Sequence, residues 1–343
     1  MVKFSPVDFI SQAGAIDKLM NQEQAQSQKF SWAELTPGYE CLSPMVGVTD
    51  TAFRQLCKRQ GAQVLFTEMA SATMMLRAPH RNDTFLHYEE SERPIVCQVM
   101  GGDPQLMAEA ARLVDSMGFD GVDINMGCPE KKIVGNACGS SLLRDADMAA
   151  RIVEAMAKAV NIPVSVKMRS GFLDSQIVQP YFAKIMEEAG AQALAIHPRT
   201  KEQGYKGAAD WNITRQVVET VNIPVGGSGD VTDRAAIERL KQETGVQGIW
   251  VARGAMGNPW IFDKSRTERP PLQEVIDTAL EHARLMLQYK GPHGMIELRK
   301  HLTWYFNGFP GAAALREDAK TVSTYEELLE LIDRHGLLER AAA

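Results

Sequence analysis

Short apolar runs recur along the chain at Glu40–Ser43, Val64–Thr67, Ile95–Val99, Val122–Asn125, Val164–Met168, Leu194–His197, Pro224–Gly226 and Ile249–Ala252. Runs of this length, rich in Val and Ile and bounded by Gly, Pro, Asp or Asn, predict buried strands. Between them lie segments with helical spacing of apolar positions, such as Asp103–Ser116, Asp147–Val160, Val178–Ala189 and Asp233–Glu243. Several open on an acid or small polar residue and close near Gly or Asn, as helix caps require. Eight strand runs alternating with helices predict an α/β fold, a (β/α)8 TIM barrel spanning residues 37–264. An open doubly wound sheet is the alternative, weakened because no Gly-x-Gly-x-x-Gly follows the first strand.

The pattern changes on either side. Past Asp263 the connector Arg269-Pro-Pro271 ends the alternation, and residues 272–343 predict a small helical domain. Its helices are expected at Leu272–Tyr289, Gly294–Phe306 and Thr324–Arg334, broken by Gly308-Phe-Pro-Gly311. Residues 1–36, rich in Gln, Ser and Ala, predict an N-terminal extension, expected to be a mobile appendage.

Composition narrows the class. The 343 residues provide for a full-sized core and a second, smaller domain. No apolar run approaches the roughly 18 residues of a membrane span. Met1–Ile10 carries Pro6 and Asp8 where a signal peptide has its apolar stretch. Five cysteines (41, 57, 97, 128 and 138) fit no zinc spacing and no disulfide framework, which predicts a reduced, cytoplasmic setting and no metal. The net charge of −6 does not suggest a surface coated for phosphate binding. One basic cluster, Arg284, Lys290, Arg299, Lys300 and Arg316, stands in the helical tail against a single acid, Glu297. On charge alone a solvated helix face explains it.

In a barrel, chemistry is carried at the carboxyl ends of the strands. Here those ends read Ser43-Pro-Met-Val46, Thr67-Glu68, Gln98, Asn125 with Cys128 just beyond, Lys167-Met-Arg169, His197-Pro-Arg199, Gly226-Gly-Ser-Gly-Asp230 and Ala252-Arg253-Gly254. Polar or ionisable groups stand at nearly every end, while the strand bodies are apolar. The glycines after the last two strands expose backbone amides suited to an anion, with Arg253 adding a charge. A phosphate there, with Gln98, Asn125 and Lys167 along the mouth, suits flavin mononucleotide (FMN); a phosphorylated sugar fits the same spacing.

Several of these stretches resemble the tRNA-dihydrouridine synthases. They are Ser43-Pro-Met-Val-Gly-Val-Thr-Asp50, Thr67-Glu-Met69, Asp123-Ile-Asn-Met-Gly-Cys-Pro129 with Lys131 and Lys132, Lys167-Met-Arg169, His197-Pro-Arg-Thr200 and Arg253-Gly-Ala255. In the tail, Leu298-Arg-Lys-His-Leu-Thr-Trp-Tyr-Phe306 and Gly308-Phe-Pro-Gly-Ala312 continue the likeness. The resemblance implies an FMN-binding barrel with a helical tRNA-binding domain, reducing the C5–C6 double bond of particular uridines, with NADPH reloading the flavin. It places Pro44, Met45 and Val46 beside the flavin ring, and Gln98, Asn125 and Lys167 on its polar edge. Ser228, Gly229, Asp230, Ala252 and Arg253 would surround the phosphate. His197 would contact flavin or base, Cys128 would donate the proton, and Lys167 and Arg169 would stabilise the enolate oxygen.

A monomer acting on tRNA, with no membrane, is the expected setting. Three departures from the family pattern stand out: Ser43 for the usual Ala, Cys97 before Gln98, and Gly226-Gly-Ser-Gly-Asp230 for an Ala-Asn-Gly-Asp run. Two other functions fit the residues: a flavin barrel acting on a free small molecule of dihydroorotate or dihydropyrimidine type, and a flavin-less RNA-binding relative.

Overall fold

The apolar runs become strands because Val, Ile and Leu pack well on a pleated surface buried on both faces. The computed structural model describes residues 29–337. Its strands are β1 (Tyr39–Leu42), β2 (Val64–Phe66), β3 (Ile95–Met100), β4 (Gly121–Met126), β5 (Val164–Arg169), β6 (Ala193–His197), β7 (Val225–Gly227) and β8 (Gly248–Val251). Each pairs in parallel with the next, and β1 pairs with β8, so the sheet closes into a barrel. A two-residue strand, Ala70–Ser71, adds to β3 at Val99 and Met100.

The helices that follow the strands include α1 (Thr51–Arg59), α2 (Pro104–Ser116), α3 (Ala146–Ala159), α4 (Tyr181–Glu188), α5 (Trp211–Thr220) and α6 (Arg234–Thr244). Asp50, Asp103, Asp145 and Asp233 cap four of them, each carboxylate accepting from an amide near the helix start. The expected helix from Val178 begins instead at Tyr181, after Pro180.

Inside the barrel the chemistry changes along the axis. Tyr39, Cys41, Val64, Phe66, Val96, Ala193, Ala195 and Trp250 fill the interior as one apolar cluster. Trp250 fits because Gly226 opposes it: a Cβ there would lie 1.9 Å from the indole ring. Trp32 closes this cluster from the end where the strands start, its ring centroid 5.7 Å from that of Trp250 and 6.1 Å from that of Phe66. Of the N-terminal stretch expected to be an appendage, residues 1–28 lie outside the described residues, while Trp32 is buried in the core. Towards the other end, β3 to β6 turn Gln98, Asp123, Asn125, Ser165, Lys167 and His197 into positions with hydrogen-bonding capacity.

The tail forms α7 (Leu272–Lys290), α8 (Pro292–Tyr305), α9 (Ala312–Ala319) and α10 (Tyr325–Arg334). Helix α9 is absent from the sequence-based expectation because it buries only Ala312, Leu315 and Ala319, too short a stripe to stand out. The tail's own core includes Ala283, Met295, Leu298, Leu302, Leu328 and Leu331, and it absorbs Ala52 and Leu56 of α1. Lys290 reaches from the tail to Asp50 at 2.7 Å, and Gln55 donates to the Tyr289 hydroxyl at 2.9 Å.

Candidate active site

The loops beyond the strand ends enclose a cavity of about 390 Å³. Every residue expected at the site lines it: Pro44, Met45 and Val46 from β1, Gln98 from β3, Asn125 and Cys128 from β4, Lys167 and Arg169 from β5, His197 from β6, Ser228, Gly229 and Asp230 from β7, and Ala252 and Arg253 from β8. The lining joins apolar residues, such as Pro44, Met45, Val46 and Met69, to a polar floor that includes Gln98, Asn125 and Lys167.

The floor is ordered by a chain of hydrogen bonds. Gln98 donates from Nε2 to Asp123 Oδ2 at 2.7 Å, and Ser165 donates its hydroxyl to Asp123 Oδ1 at 2.7 Å. Asn125 donates from Nδ2 to Gln98 Oε1 at 2.8 Å. Its own Oδ1 accepts from the amides of Cys128 at 2.9 Å and Gly127 at 3.2 Å. Burial pushes the Asp123 carboxyl up to about 6, against the donors Gln98 and Ser165. Burial also pulls Lys167 down to about 8, with Asp123 opposing and Arg169 reinforcing the shift. Each group thus sits on the charged side of neutral pH.

Cys128 is half-buried, and its thiol is raised above the ordinary value by burial, while the Glu130 amide pulls the other way. It therefore holds its proton at neutral pH. Arg169 is nearly buried and donates to three backbone carbonyls: Gly127 at 2.9 Å, Thr200 at 2.9 Å and Gly204 at 2.8 Å. Its guanidinium thus braces the cysteine turn as well as facing the cavity.

His197 is pulled down to about 2 by burial and by the cations Lys167, Arg169, Arg199 and Arg253, so its imidazole is neutral. Arg199 Nη1 lies 3.4 Å from His197 Nε2. Arginine only donates, so Nε2 accepts and Nδ1 carries the proton.

Beyond β7 the backbone turns sharply: Gly229 has φ +90° and Asp230 has φ +57°, a conformation unusual for a residue with a side chain. Among the described residues, the amides of Gly229 and Asp230 have no backbone carbonyl partner. Asp230 is held by Arg199 at 2.6 and 2.7 Å and by the Ala209 amide at 2.8 Å. Burial works against ionisation there, yet Arg199 and the Ala209 amide hold its carboxyl below the ordinary range. The Ser228 hydroxyl donates inward to the Ile196 carbonyl at 3.1 Å.

A wider groove of about 890 Å³ runs from this mouth to the tail, bordered by Trp304 and Asn307 of the tail and by Arg199, Arg253, Arg266 and Arg269. Of the basic tail cluster, Lys290 pairs with Asp50 and Glu297, Arg299 donates to the Val322 carbonyl, and Arg316 donates to the Phe306 carbonyl. These three are internal braces, a role that a count of charges does not reveal.

Two residues at the site escape sequence reasoning. Asp123 lies two residues before Asn125 and so points to the same interior face, a spacing that was available as a signal. Tyr205 gave none: it lies in a turn, 58 % exposed, and lines both the cavity and the groove. Arg253 and Arg169 lie over its ring, 4.6 and 5.5 Å from the centroid.

A family model described as "Dihydrouridine synthase (Dus)" matches residues 41–341. A protein named "Probable tRNA-dihydrouridine synthase 1" from Synechocystis sp. is 40% identical over 304 residues, 85% of this chain and 84% of that protein. "tRNA-dihydrouridine synthase B" from Pseudomonas aeruginosa is 38% identical over 289 residues, 82% of this chain and 87% of the relative. Among solved structures, a complex of 2-naphthoyl-CoA reductase with 2-naphthoyl-CoA superposes with a TM-score of 0.53 at 13% identity, covering 87% of this chain and 67% of that one. That likeness shows the barrel fold alone.

Proposed function

Because the chain belongs to the dihydrouridine synthase family, we propose that it reduces the C5–C6 double bond of particular uridines in tRNA to 5,6-dihydrouridine, using FMN reloaded by NADPH. The observation that carries this reading is the joining of Cys128 to a polar floor and an apolar wall around one cavity. The residues suit a flavin. Gln98 and Asn125 each keep an unused amide hydrogen, and Lys167 adds a cation, matching the carbonyl oxygens of a flavin's polar edge. Pro44, Met45 and Val46 supply an apolar flank. The Gly229 and Asp230 amides with Arg253 suit the phosphate, whereas the Ser228 hydroxyl hydrogen is engaged with Ile196.

FMN, when bound, supplies the hydride that adds to C6 of the uracil. Negative charge then develops on the substrate at C5 and O4. Cys128, protonated at neutral pH, delivers the proton to C5. Lys167, and Arg169 from the braced turn, oppose the charge on O4. His197, neutral, offers a hydrogen-bonding edge to ring or base without competing for the proton. A uridine leaves its stack to enter a cavity of this size, at a cost of a few kcal/mol, and contacts of the tRNA body along the groove offset that cost.

The test is direct. Purified protein should be yellow, and with NADPH it should form dihydrouridine in unmodified tRNA and leave free uracil untouched. Reduction of free uracil at a comparable rate would favour a small-molecule oxidoreductase; a colourless protein that binds tRNA would favour a flavin-less relative.

A further inference from the structure

Asp123 takes no part in the chemistry just described, yet it stands at the head of the hydrogen-bond chain that runs through Gln98 to Asn125. It is 1 % exposed and sits inside the barrel, with Gln98 and Ser165 as its register partners on the flanking strands. A carboxylate can only accept hydrogen bonds. Gln98 must therefore turn its NH2 towards Asp123 and its carbonyl towards Asn125. Asn125 must in turn present its NH2 to Gln98, which leaves its carbonyl for the amides of Gly127 and Cys128.

The order closes in one sense only. Reversing Gln98 would set its carbonyl against the carboxylate, and would leave the Asn125 NH2 facing two N–H groups. One carboxylate thereby fixes both amides and the turn that carries the thiol.

We infer that Asp123 is a positioning residue: through Gln98 and Asn125 it orients the floor amides as donors and seats the backbone of Cys128. The inference rests on the proposed roles of Cys128 and the flavin. Its direct readout, the reactivity of the Cys128 thiol, does not require the enzyme to turn over. Ser165 decides the choice of variants, since its hydroxyl can donate or accept. Asp123→Asn can keep an oxygen towards Gln98 and give its NH2 to Ser165, preserving the order. Asp123→Leu removes the acceptor and keeps the branching at Cγ, with a somewhat larger side chain.

The experiment uses the full chain. FMN affinity is measured by titrating the apoprotein, and alkylation of the FMN-free protein by iodoacetamide is mapped at each cysteine. Cys41, Cys57 and Cys97 are buried, so Cys128 and Cys138 react. Asp123→Leu is expected to weaken FMN binding about tenfold, the effect of one buried hydrogen bond to a charged group. It should raise the alkylation rate of Cys128 over that of Cys138, and Asp123→Asn should restore both readings.

Unchanged affinity and thiol reactivity in Asp123→Leu would overturn the inference. So would equal acceleration at Cys138, which marks general loosening, or an asparagine variant as defective as the leucine one. Where leucine does not fold, Asp123→Ala removes the same acceptor and is read in the same way. If wild-type protein bound no FMN, the functional reading would fail, while the alkylation comparison would still decide the role of Asp123.

Discussion

Gly139 packs directly behind Cys128. A Cβ at position 139 would lie 3.0 Å from the Cys128 carbonyl oxygen and 3.3 Å from its Cβ, and the residue holds φ +62°. The neighbouring Ser140 amide donates to that same carbonyl at 3.1 Å. The glycine-rich loop after β4 is thus a backing plate for the thiol turn. Gly139→Ala is expected to cost about 1–2 kcal/mol for its left-handed backbone. The contact with Cys128 directs part of that strain into the site. Thermal unfolding should show a lowered midpoint, and tRNA reduction should fall further than the midpoint alone explains. Normal turnover in a destabilised protein would show that the loop is only scaffolding.

Removing the thiol separates binding from proton delivery. Cys128→Ala leaves the polar floor and the amides of the β7 loop intact, so the yellow colour should persist. Reduction of uridine should drop by about 10²–10⁴-fold, the usual contribution of a positioned acid. Stopped-flow absorbance checks both at once: reduction of the flavin by NADPH stays fast, and reoxidation by tRNA becomes slow. Fast reoxidation would remove Cys128 from the mechanism.

The pH profile has a calculable sign. Lys167 is pulled down to about 8 by burial, so raising pH from 7 to 9 removes its charge from the floor. The Cys128 thiol is shifted up, so it holds its proton into the alkaline range. The activity kcat/KM for tRNA should therefore fall as pH rises through about 8, and the first loss belongs to Lys167. Lys167→Arg keeps the charge at every accessible pH. Its activity is lower because the fork does not match the ammonium, but the inflection near 8 should vanish. An inflection that survives in the arginine variant would assign it to another group.

The barrel was legible because its strands are short apolar runs separated by capped, periodic helices, a pattern that parallel βα units impose on a sequence. The candidate residues stood out for a related reason: Gln98, Asn125, Lys167 and His197 interrupt apolar runs at their carboxyl ends. What stayed hidden depends on partners far along the chain. Trp32 is an ordinary aromatic until Phe66 and Trp250 are brought to it. Lys290, Arg299 and Arg316 read as a basic face, and only the fold reveals Asp50 and the carbonyls of Val322 and Phe306 as their partners. Helix α9 was lost because one short stripe of small residues carries little periodic signal.

The buried pair His282 and His301 is expected to make the protein acid-sensitive. Their ring centroids are 4.5 Å apart, packed against Phe53 of α1 where the tail meets the barrel. His282 is pulled down to about 4 by burial, with Lys290 and Lys300 adding to the shift and Asp50 opposing it; His301 is lowered well below its ordinary value, by burial first and then by His282. In the unfolded chain each imidazole takes up a proton near pH 6.5, whereas in the folded chain neither does until well below that. Acidification therefore favours the unfolded chain. Stability contributed by the neutral pair is complete above about 6.5 and is lost as pH falls, by about 1.4 kcal/mol per pH unit for His282 until its folded value is reached. Carboxylates titrate in the same window, so a variant isolates the effect. Urea unfolding at pH 7, 6 and 5 should give a shallower loss for His301→Leu than for wild type. Parallel losses in the two proteins would mean that the pair is protonated in the folded state, and that the helical tail tolerates charge at its seam with α1.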